Sequence, residues 1–336
     1  MRLFVTGGAG FIGSNFIRWL LANHKDVRVT NYDALTYAGN LANLQDVEND
    51  PAYTFVRGDI CDAQRLAEHM SDHDAVVNFA AASHVDRSIE ETTQFVRTNV
   101  LGATTLFDVA LRLEVAKFLH ISTDEAYGSI EYPDAFHEDD ALSPNNPYSA
   151  TKASADLLAR AYRMTHDYPI TITRTSNTFG PYHFPEKVIP LFITNLMDGL
   201  KVPVYGDGRH VRDWTYVVDN VRAQWLVLTE GRPGEIYNIG AGNEMSNRDL
   251  TYRLLERHGY RDSNAEEMID LVADRPGHDL RYAIDSGRVR ALGWKPEFTF
   301  DDALDETIAW YRANEWWWRP LKEQGASRRR GLGRAG

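Results

Sequence analysis

The first stretch of the chain limits its fold more than any other. Leu3–Thr6 is a short apolar run that breaks into Gly7-Gly8-Ala9-Gly10-Phe11-Ile12-Gly13, and Ile12–Ala22 then carries amphipathic helical spacing. Glycines at every third position between a strand and a helix form a loop that a pyrophosphate can approach closely. No Cβ blocks the phosphate, and the first free N–H groups of the helix offer it about half a positive charge. Glycines in a loop often serve only a positive φ, but this placement is specific to a dinucleotide site. Gly7, Gly10, Phe11, Ile12 and Gly13 are therefore candidate cofactor residues. Asp33 lies 20 residues past Gly13, at the end of the β-branched run Val27–Tyr32. A carboxylate there accepts the ribose hydroxyls of an adenosine and repels a 2′-phosphate, so NAD is expected rather than NADP.

Strand and helix signals then alternate. Tyr53–Val56, Ala75–Phe79, Phe118–Ser122 and Ile170–Thr175 read as strands, and Ala63–Met70, Thr92–Leu113 and Ser149–His166 as helices. The expected fold is α/β: a Rossmann-type, doubly wound parallel sheet with a smaller C-terminal α/β substrate-binding lobe. Residues 1–186 are expected to form mainly the NAD-binding domain. Residues 187–324 would form mainly the smaller lobe, with the chain free to cross between the two. Turn clusters at Tyr205–Gly208 and Arg275–Gly277 mark that second part. Asp59, after the third strand, can meet an adenine amino group or cap a helix, and spacing leaves both open.

Composition narrows the class. Lys plus Arg number 36 against 48 Asp plus Glu, a net charge of −12, which disfavours nucleic acid and anionic lipid as partners. Arginine supplies nearly all the positive charge, since only seven residues are lysine. A high-salt or a GC-rich source would each produce that bias. The single cysteine, Cys61, excludes an intrachain disulfide and any multi-cysteine metal site. With no signal-peptide layout and no run of ~18 uncharged apolar residues, a cytoplasmic protein is expected. The Gly- and Arg-rich segment 325–336 reads as a disordered tail, and the overall charge argues against its being a nucleic-acid arm.

Chemistry concentrates in two further segments. Tyr148-Ser-Ala-Thr-Lys152 sets a phenol and an ammonium at i and i+4, on one helical face. A nearby cation is expected to lower the phenol's pKa from about 10, letting Tyr148 take a sugar hydroxyl proton. Ser122-Thr123-Asp124-Glu125-Ala126-Tyr127-Gly128 adds two carboxyls at the end of a strand.

With these motifs in view, the chain resembles the extended short-chain dehydrogenase/reductase superfamily and, within it, the dTDP-glucose 4,6-dehydratases. The likeness runs from Val5-Thr6-Gly7 to Trp316-Trp317-Trp318-Arg319-Pro320-Leu321. Thr-Asp-Glu is the nucleotide-glucose dehydratase form of the loop; related epimerases generally lack the acidic pair, and GDP-mannose dehydratases carry Ser-Glu after the threonine. The resemblance implies a hydro-lyase with tightly bound NAD that oxidises C4, eliminates water across C5 and C6, and reduces C6. It makes Glu125 the base at C5, Asp124 the acid at the C6 hydroxyl, Thr123 a hydroxyl partner of the sugar or of Tyr148, and Lys152 a ligand of the nicotinamide ribose. It further implies cofactor contacts from Leu35, Thr36, Asp59, Ile60, Ala80, Ala81, Ser83, Thr98 and Thr178. Substrate contacts are implied for Ser83, His84, Asn177, Glu186, Lys187, Val188, Pro203, Tyr205, Arg212, Asn247, Arg275 and His278, the two arginines as diphosphate ligands. The helices at Thr92–Leu113 and Ser149–His166 would pair across a two-fold axis in a homodimer.

Some positions depart from the family pattern. Ala82 stands for a usual glutamate, Thr178 for a frequent second asparagine, and Ala34 for the lysine after the ribose aspartate. No metal is expected: His69 and His73 share helical spacing but lack a third ligand. Trp316–Trp318 reads as core or interface. Two other functions stay open, a related epimerase or decarboxylase and a catalytically silent NAD sensor.

Overall fold

The computed structural model describes the backbone of residues 1–332 and the side chains through Glu323. In chain order the first part comprises β1 (Arg2–Thr6), α1 (Phe11–Asn23), β2 (Arg28–Asp33), β3 (Tyr53–Arg57), α2 (Ala63–Met70), β4 (Ala75–Asn78), α3 (Val85–Glu90), α4 (Thr92–Phe95), α5 (Ala103–Arg112), β5 (Lys117–Thr123), α6 (Pro147–His166) and β6 (Ile170–Thr175). There follow β7 (Asn177–Phe179), α7 (Val188–Met197), β8 (Val202–Tyr205), β9 (Val211–Tyr216), α8 (Val217–Glu230), β10 (Ile236–Ile239), β11 (Glu244–Ser246), α9 (Asn247–Arg257), α10 (Ser263–Glu267), β12 (Ile269–Val272), α11 (Gly287–Ala291), α12 (Phe300–Ala313) and α13 (Glu315–Leu332).

Seven strands form one sheet in the order β10-β6-β5-β4-β1-β2-β3, every pair parallel. A parallel sheet must be covered on both faces, and the strand sequences comply. Leu3 and Val5 point into a core shared with Phe16 and Leu20 of α1 and Val221 of α8. Phe4 points the other way, into a core with Leu66 of α2, Leu106 and Phe107 of α5, and Ala155 of α6. Because β1 lies between β2 and β4, successive crossovers leave it in opposite directions. That switch point opens a crevice at the carboxyl ends of the strands. The fold is the expected doubly wound one.

The second lobe carries two small sheets, β11-β9-β7 and β12-β8. Its apolar residues Phe192, Trp214, Leu254 and Tyr311 belong to the same buried cluster as Leu3 and Val5, so the lobes share one core. The chain crosses between them: β10, from beyond residue 187, is an edge strand of the first sheet, paired with β6. Trp317 and Trp318 are core residues, 3% and 0% exposed, whereas Trp316 is exposed.

Two elements differ from expectation. The helix expected over Thr92–Leu113 is interrupted, with a π-helical segment spanning Val96–Gly102 between α4 and α5. Tertiary contacts impose it: the buried Asn99 side chain binds the Ala82 backbone at both N–H (2.8 Å) and C=O (3.0 Å), and Thr151 Oγ1 at 3.0 Å. At the C-terminus α13 runs to Leu332, so residues 325–332, expected as a disordered tail, are helical. Arg328, Arg329 and Arg330 are good helix formers, and the one proline of α13, Pro320, lies upstream of them. Residues 333–336 of that tail lie outside the described residues. Among the described residues no helix is long and apolar enough to cross a membrane.

Candidate active site

The glycine loop sits in the crevice at the end of β1. Gly7 adopts φ +70, and a Cβ there would lie 2.5 Å from the Ala80 nitrogen. A Cβ on Gly13 would lie 2.5 Å from the Gly7 carbonyl oxygen. Gly10 is the N-cap of α1 and offers no side-chain cap, so the first N–H groups of the helix are left for an anion. The loop therefore fits a pyrophosphate. Phe11, Ile12, Thr36, Ile60, Ala80, Ala81, Ser83, Thr98 and Thr178 line the same cleft, together with Gly7, Gly10, Gly13, Asp33 and Asp59.

Asp33 ends β2 with 7% exposure, and its carboxylate accepts the amides of Ala9 (2.9 Å) and Leu35 (2.8 Å). Burial raises its pKa against those two hydrogen bonds. Leu35 itself does not line the cleft; its contribution is that amide, delivered from φ +53. The two readings of Asp59 also separate. Asp62, not Asp59, caps α2 through the Arg65 amide, while Asp59 accepts the Cys61 amide at 2.9 Å and pairs with Arg97 at 3.1 Å. Burial opposes ionisation of Asp59, but those two partners prevail and hold its pKa below the usual range.

The catalytic candidates converge from two elements. β5 delivers Thr123, and a single 3-10 turn then presents Asp124 and Glu125. α6, capped by Asn146 on the Ser149 amide with Pro147 in its first turn, brings Tyr148 and Lys152 to the same cleft. Thr123 Oγ1 accepts the Glu125 amide at 3.3 Å and donates to Asp124 Oδ1 at 3.3 Å, and Ser149 donates to Glu125 at 3.3 Å. Asp124 is 2% exposed, and its Oδ2 has no hydrogen-bond partner. Burial, reinforced by the neighbouring Glu125 and Asp213, pushes its pKa well above the carboxylate range. That is the direction a general acid requires.

The expectation for Tyr148 reverses. Burial, with the charges of Glu125 and Asp124, raises its phenol pKa, and the Thr123 hydroxyl opposes this only in part. Lys152 does not offset this: its ammonium donates to the Ile121 carbonyl at 2.6 Å, and burial lowers its own pKa to about 8. Helical spacing places the two groups on one face but carries no information about desolvation.

The expected substrate residues divide into two groups. Ser83, His84, Asn177, Glu186, Lys187 and Val188 line the cleft beside the carboxyls. Lys187 donates to the Ser83 carbonyl at 2.9 Å, Glu186 binds Arg87 at 2.6 Å, and Asn177 Oδ1 is buried without a partner. Pro203, Tyr205, Arg212, Asn247, Arg275 and His278 do not line it. Arg275 and Tyr205 reach Asp86 instead, at 3.4 and 3.2 Å. Arg212 is 5% exposed, its guanidinium on the carbonyls of Val211, Leu280 and Asp279 and over the Tyr282 ring. Pro203 lies in β8 opposite Asp270, and the Asn247 amide donates to His210. His278 binds Asp274 at 2.7 Å and stacks on His210 at 3.6 Å, and burial pushes its pKa down to about 4. His210, Asp274 and His278 could approach one cation, but Arg212 and Arg275 set positive charge beside both rings. His73 lies past the end of α2 and is satisfied by Thr30 and Met70, so it forms no ligand pair with His69.

Comparison with known proteins agrees with this geometry. The family model described as GDP-mannose 4,6 dehydratase matches residues 4–307. The chain belongs to that family. It is 52% identical to a dTDP-glucose 4,6-dehydratase of Streptomyces antibioticus, over 97% of both chains. It is 53% identical to the low-salt glycan biosynthesis protein Agl12 of Haloferax volcanii, over 94% of this chain and all of that one. Among solved structures, the dTDP-glucose 4,6-dehydratase DesIV of Streptomyces venezuelae, determined with NAD bound, superposes with a TM-score of 0.92 at 52% identity, covering 96% of this chain and 100% of that one.

Several cleft residues carry no local sequence signal. His183 stacks on Phe11 at 4.2 Å and closes the second lobe over α1. Tyr37 lies under the Arg87 guanidinium and donates to the Ser83 carbonyl at 3.1 Å. Trp317 reaches the cleft from α13 and donates to Asn43 at 2.8 Å. Tyr37 and His183 lie in loops, where no periodicity marks them, and the spacing of Trp317 on a helix cannot separate core from cleft.

Proposed function

We infer that the protein is an NAD-dependent 4,6-dehydratase of dTDP-glucose, forming the 4-keto-6-deoxy sugar nucleotide. The observation that carries this reading is the buried Asp124 carboxyl, whose Oδ2 has no partner, beside Glu125 in one cleft with Tyr148, Lys152 and the glycine loop. An epimerase needs the tyrosine and lysine but has no use for an acid and a base at C5 and C6.

Gly7, Gly10, Gly13 and the start of α1 would hold the pyrophosphate of NAD, Asp33 its adenosine ribose, and Lys152 its nicotinamide ribose. When bound, the nicotinamide supplies the acceptor, and later the donor, of one electron pair. Tyr148, in its ionised form, takes the proton of the C4 hydroxyl as C4 becomes a ketone. The ketone acidifies the C5 hydrogen, which Glu125 removes. Asp124 gives its proton to the departing C6 hydroxyl, which leaves as water. As C6 is reduced, Glu125 protonates C5 with a proton it has exchanged with solvent, and the proton held by Tyr148 passes through solvent to Asp124, which restores both groups. Asn177, with its unpartnered Oδ1, and Lys187 are placed to orient the sugar.

The apolar side chains exposed at Leu101, on Leu157 and on Met164 of the π segment and α6 support a homodimer through those helices, which sedimentation at micromolar concentration would test. A cytoplasmic location accords with a single cysteine. Incubation of the purified protein with dTDP-glucose tests the activity. The expected product is the 4-keto sugar nucleotide; a 4-epimer supports an epimerase, and bound NAD without turnover supports a sensor.

A further inference from the structure

Lys152 is 4% exposed, and an ammonium in so dry a place requires compensating charge nearby. Asp156 lies one turn further along α6 with a side chain 1% exposed. Its Oδ2 accepts Arg174 Nε of β6 at 2.9 Å. Its Oδ1 has no hydrogen-bond partner and lies 3.9 Å from Nε2 of His120 on β5. On the far side of that ring, His120 Nδ1 pairs with the Asn78 side-chain amide at 3.0 Å, and Asn78 Oδ1 accepts the Thr6 hydroxyl at 2.6 Å. With Asn78 donating, the proton of a neutral His120 sits on Nε2 and faces Asp156. A line of buried polar groups therefore runs beneath the cleft across β1, β4, β5, α6 and β6. The chemistry described above uses none of them.

Arg174 and His120 approach this one carboxylate directly, and Lys152, four residues before it on α6, is the third basic group, beyond ion-pair distance. The other ionisable groups near Lys152 are Tyr148 on its own helix and Asp124 and Glu125 beyond the end of β5. Burial keeps His120 neutral, so the balance lies between Asp156 and the two cations.

We propose that Asp156 is a positioning residue for the catalytic pair, holding Lys152 in its ammonium form, and that Arg174 sets how much of the carboxylate's charge reaches the lysine. The proposal rests on the assignment of Tyr148 and Lys152 to the reaction. A merely structural Asp156 would tie α6 to β6 and leave the titration of Lys152 alone.

With only seven lysines, 13Cε-lysine NMR can follow Lys152 directly, its signal identified by its loss in Lys152→Arg. In the unmodified enzyme Lys152 is expected to titrate near the value of about 8 that burial gives it. Asp156→Asn is expected to move that midpoint down by about one pH unit or more, and Arg174→Gln to move it up, because the carboxylate is then unshared. Asp156→Glu, which keeps the charge, should restore the original midpoint. The alkaline limb of turnover should follow each shift, since the pair works only while Lys152 is charged. A folded Asp156→Asn protein with an unmoved Lys152 midpoint overturns the proposal. So does a downward shift in Arg174→Gln, which decides the matter alone should Asp156→Asn not fold. The NMR midpoint is read whether or not dTDP-glucose is turned over, so failure of the assigned reaction and failure of this proposal are distinguishable.

Discussion

The two regions assigned to the substrate, a sugar end and a nucleotide end, differ in how far their charged groups are already paired. At the sugar end, Asp124 Oδ2 and Asn177 Oδ1 are buried with no partner inside the protein. At the nucleotide end, Arg212 is bound to three carbonyls, Arg275 to Asp86 through Nη1, and His278 to Asp274, with Arg275 Nε and His210 Nδ1 left without a partner. Burying polar groups unsatisfied costs stability, so the sugar end holds its geometry ready for the reaction. The nucleotide end instead has most of its charges paired, and on the proposed assignment an incoming diphosphate would take Arg275 from Asp86. The difference separates turnover from binding. Changes at the first end should act on kcat, and changes at the second on KM.

The largest effect is expected at Asp124. Asp124→Asn removes the acid that protonates the C6 hydroxyl, and kcat should fall roughly 10²–10⁴-fold, or about 3–5 kcal/mol of barrier. Stability should move the other way. The folded pKa of Asp124 lies above its unfolded value, so its contribution to stability is complete below the unfolded pKa and is lost as pH rises through the folded one. At neutral pH and above, Asp124→Asn should therefore melt higher than the unmodified protein, checked by calorimetry across pH. A variant that is both less active and less stable would deny that the sugar end is strained for function.

Next in size is Arg275→Ala. Loss of one charged hydrogen-bonding group is worth about 1.5–3 kcal/mol, so KM for dTDP-glucose should rise roughly 10- to 150-fold with kcat little changed. The smallest effect belongs to Asp86→Asn. Its pair with Arg275 is partly exposed, and removing the competitor should lower KM by only about two- to five-fold. If Asp86→Asn raised KM instead, Asp86 would be a support for Arg275 and the trade of partners would be wrong.

The same contrast explains how much could be read from the sequence. The sugar end and the cofactor loop come from contiguous motifs whose spacing fixes their geometry: Gly7 to Gly13 on one turn, Thr123 to Glu125 on another, Tyr148 and Lys152 on one helical face. The nucleotide end draws on Asp86, Tyr205, Arg212, Arg275 and His278, distant in sequence, and likeness to a family named its residues without showing that their charges are already paired. Environment was legible only for Asp124, whose part as an acid requires the desolvation that raises its pKa. Spacing suggested a lowered phenol pKa for Tyr148, and burial among carboxyls raises it. The π segment at Val96–Gly102 was likewise out of reach, because Asn99 owes its contacts to Ala82 and Thr151 rather than to its own helix.

Isotope exchange at C5 tests the assigned division of labour between the two carboxyls most directly. In deuterated water the enzyme should convert dTDP-glucose to a 4-keto-6-deoxy product carrying deuterium at C5. Glu125→Gln should abolish that incorporation, while Asp124→Asn should keep C5 exchange and slow the loss of water. Full C5 exchange in Glu125→Gln, or a product from the unmodified enzyme with only hydrogen at C5, would contradict the account.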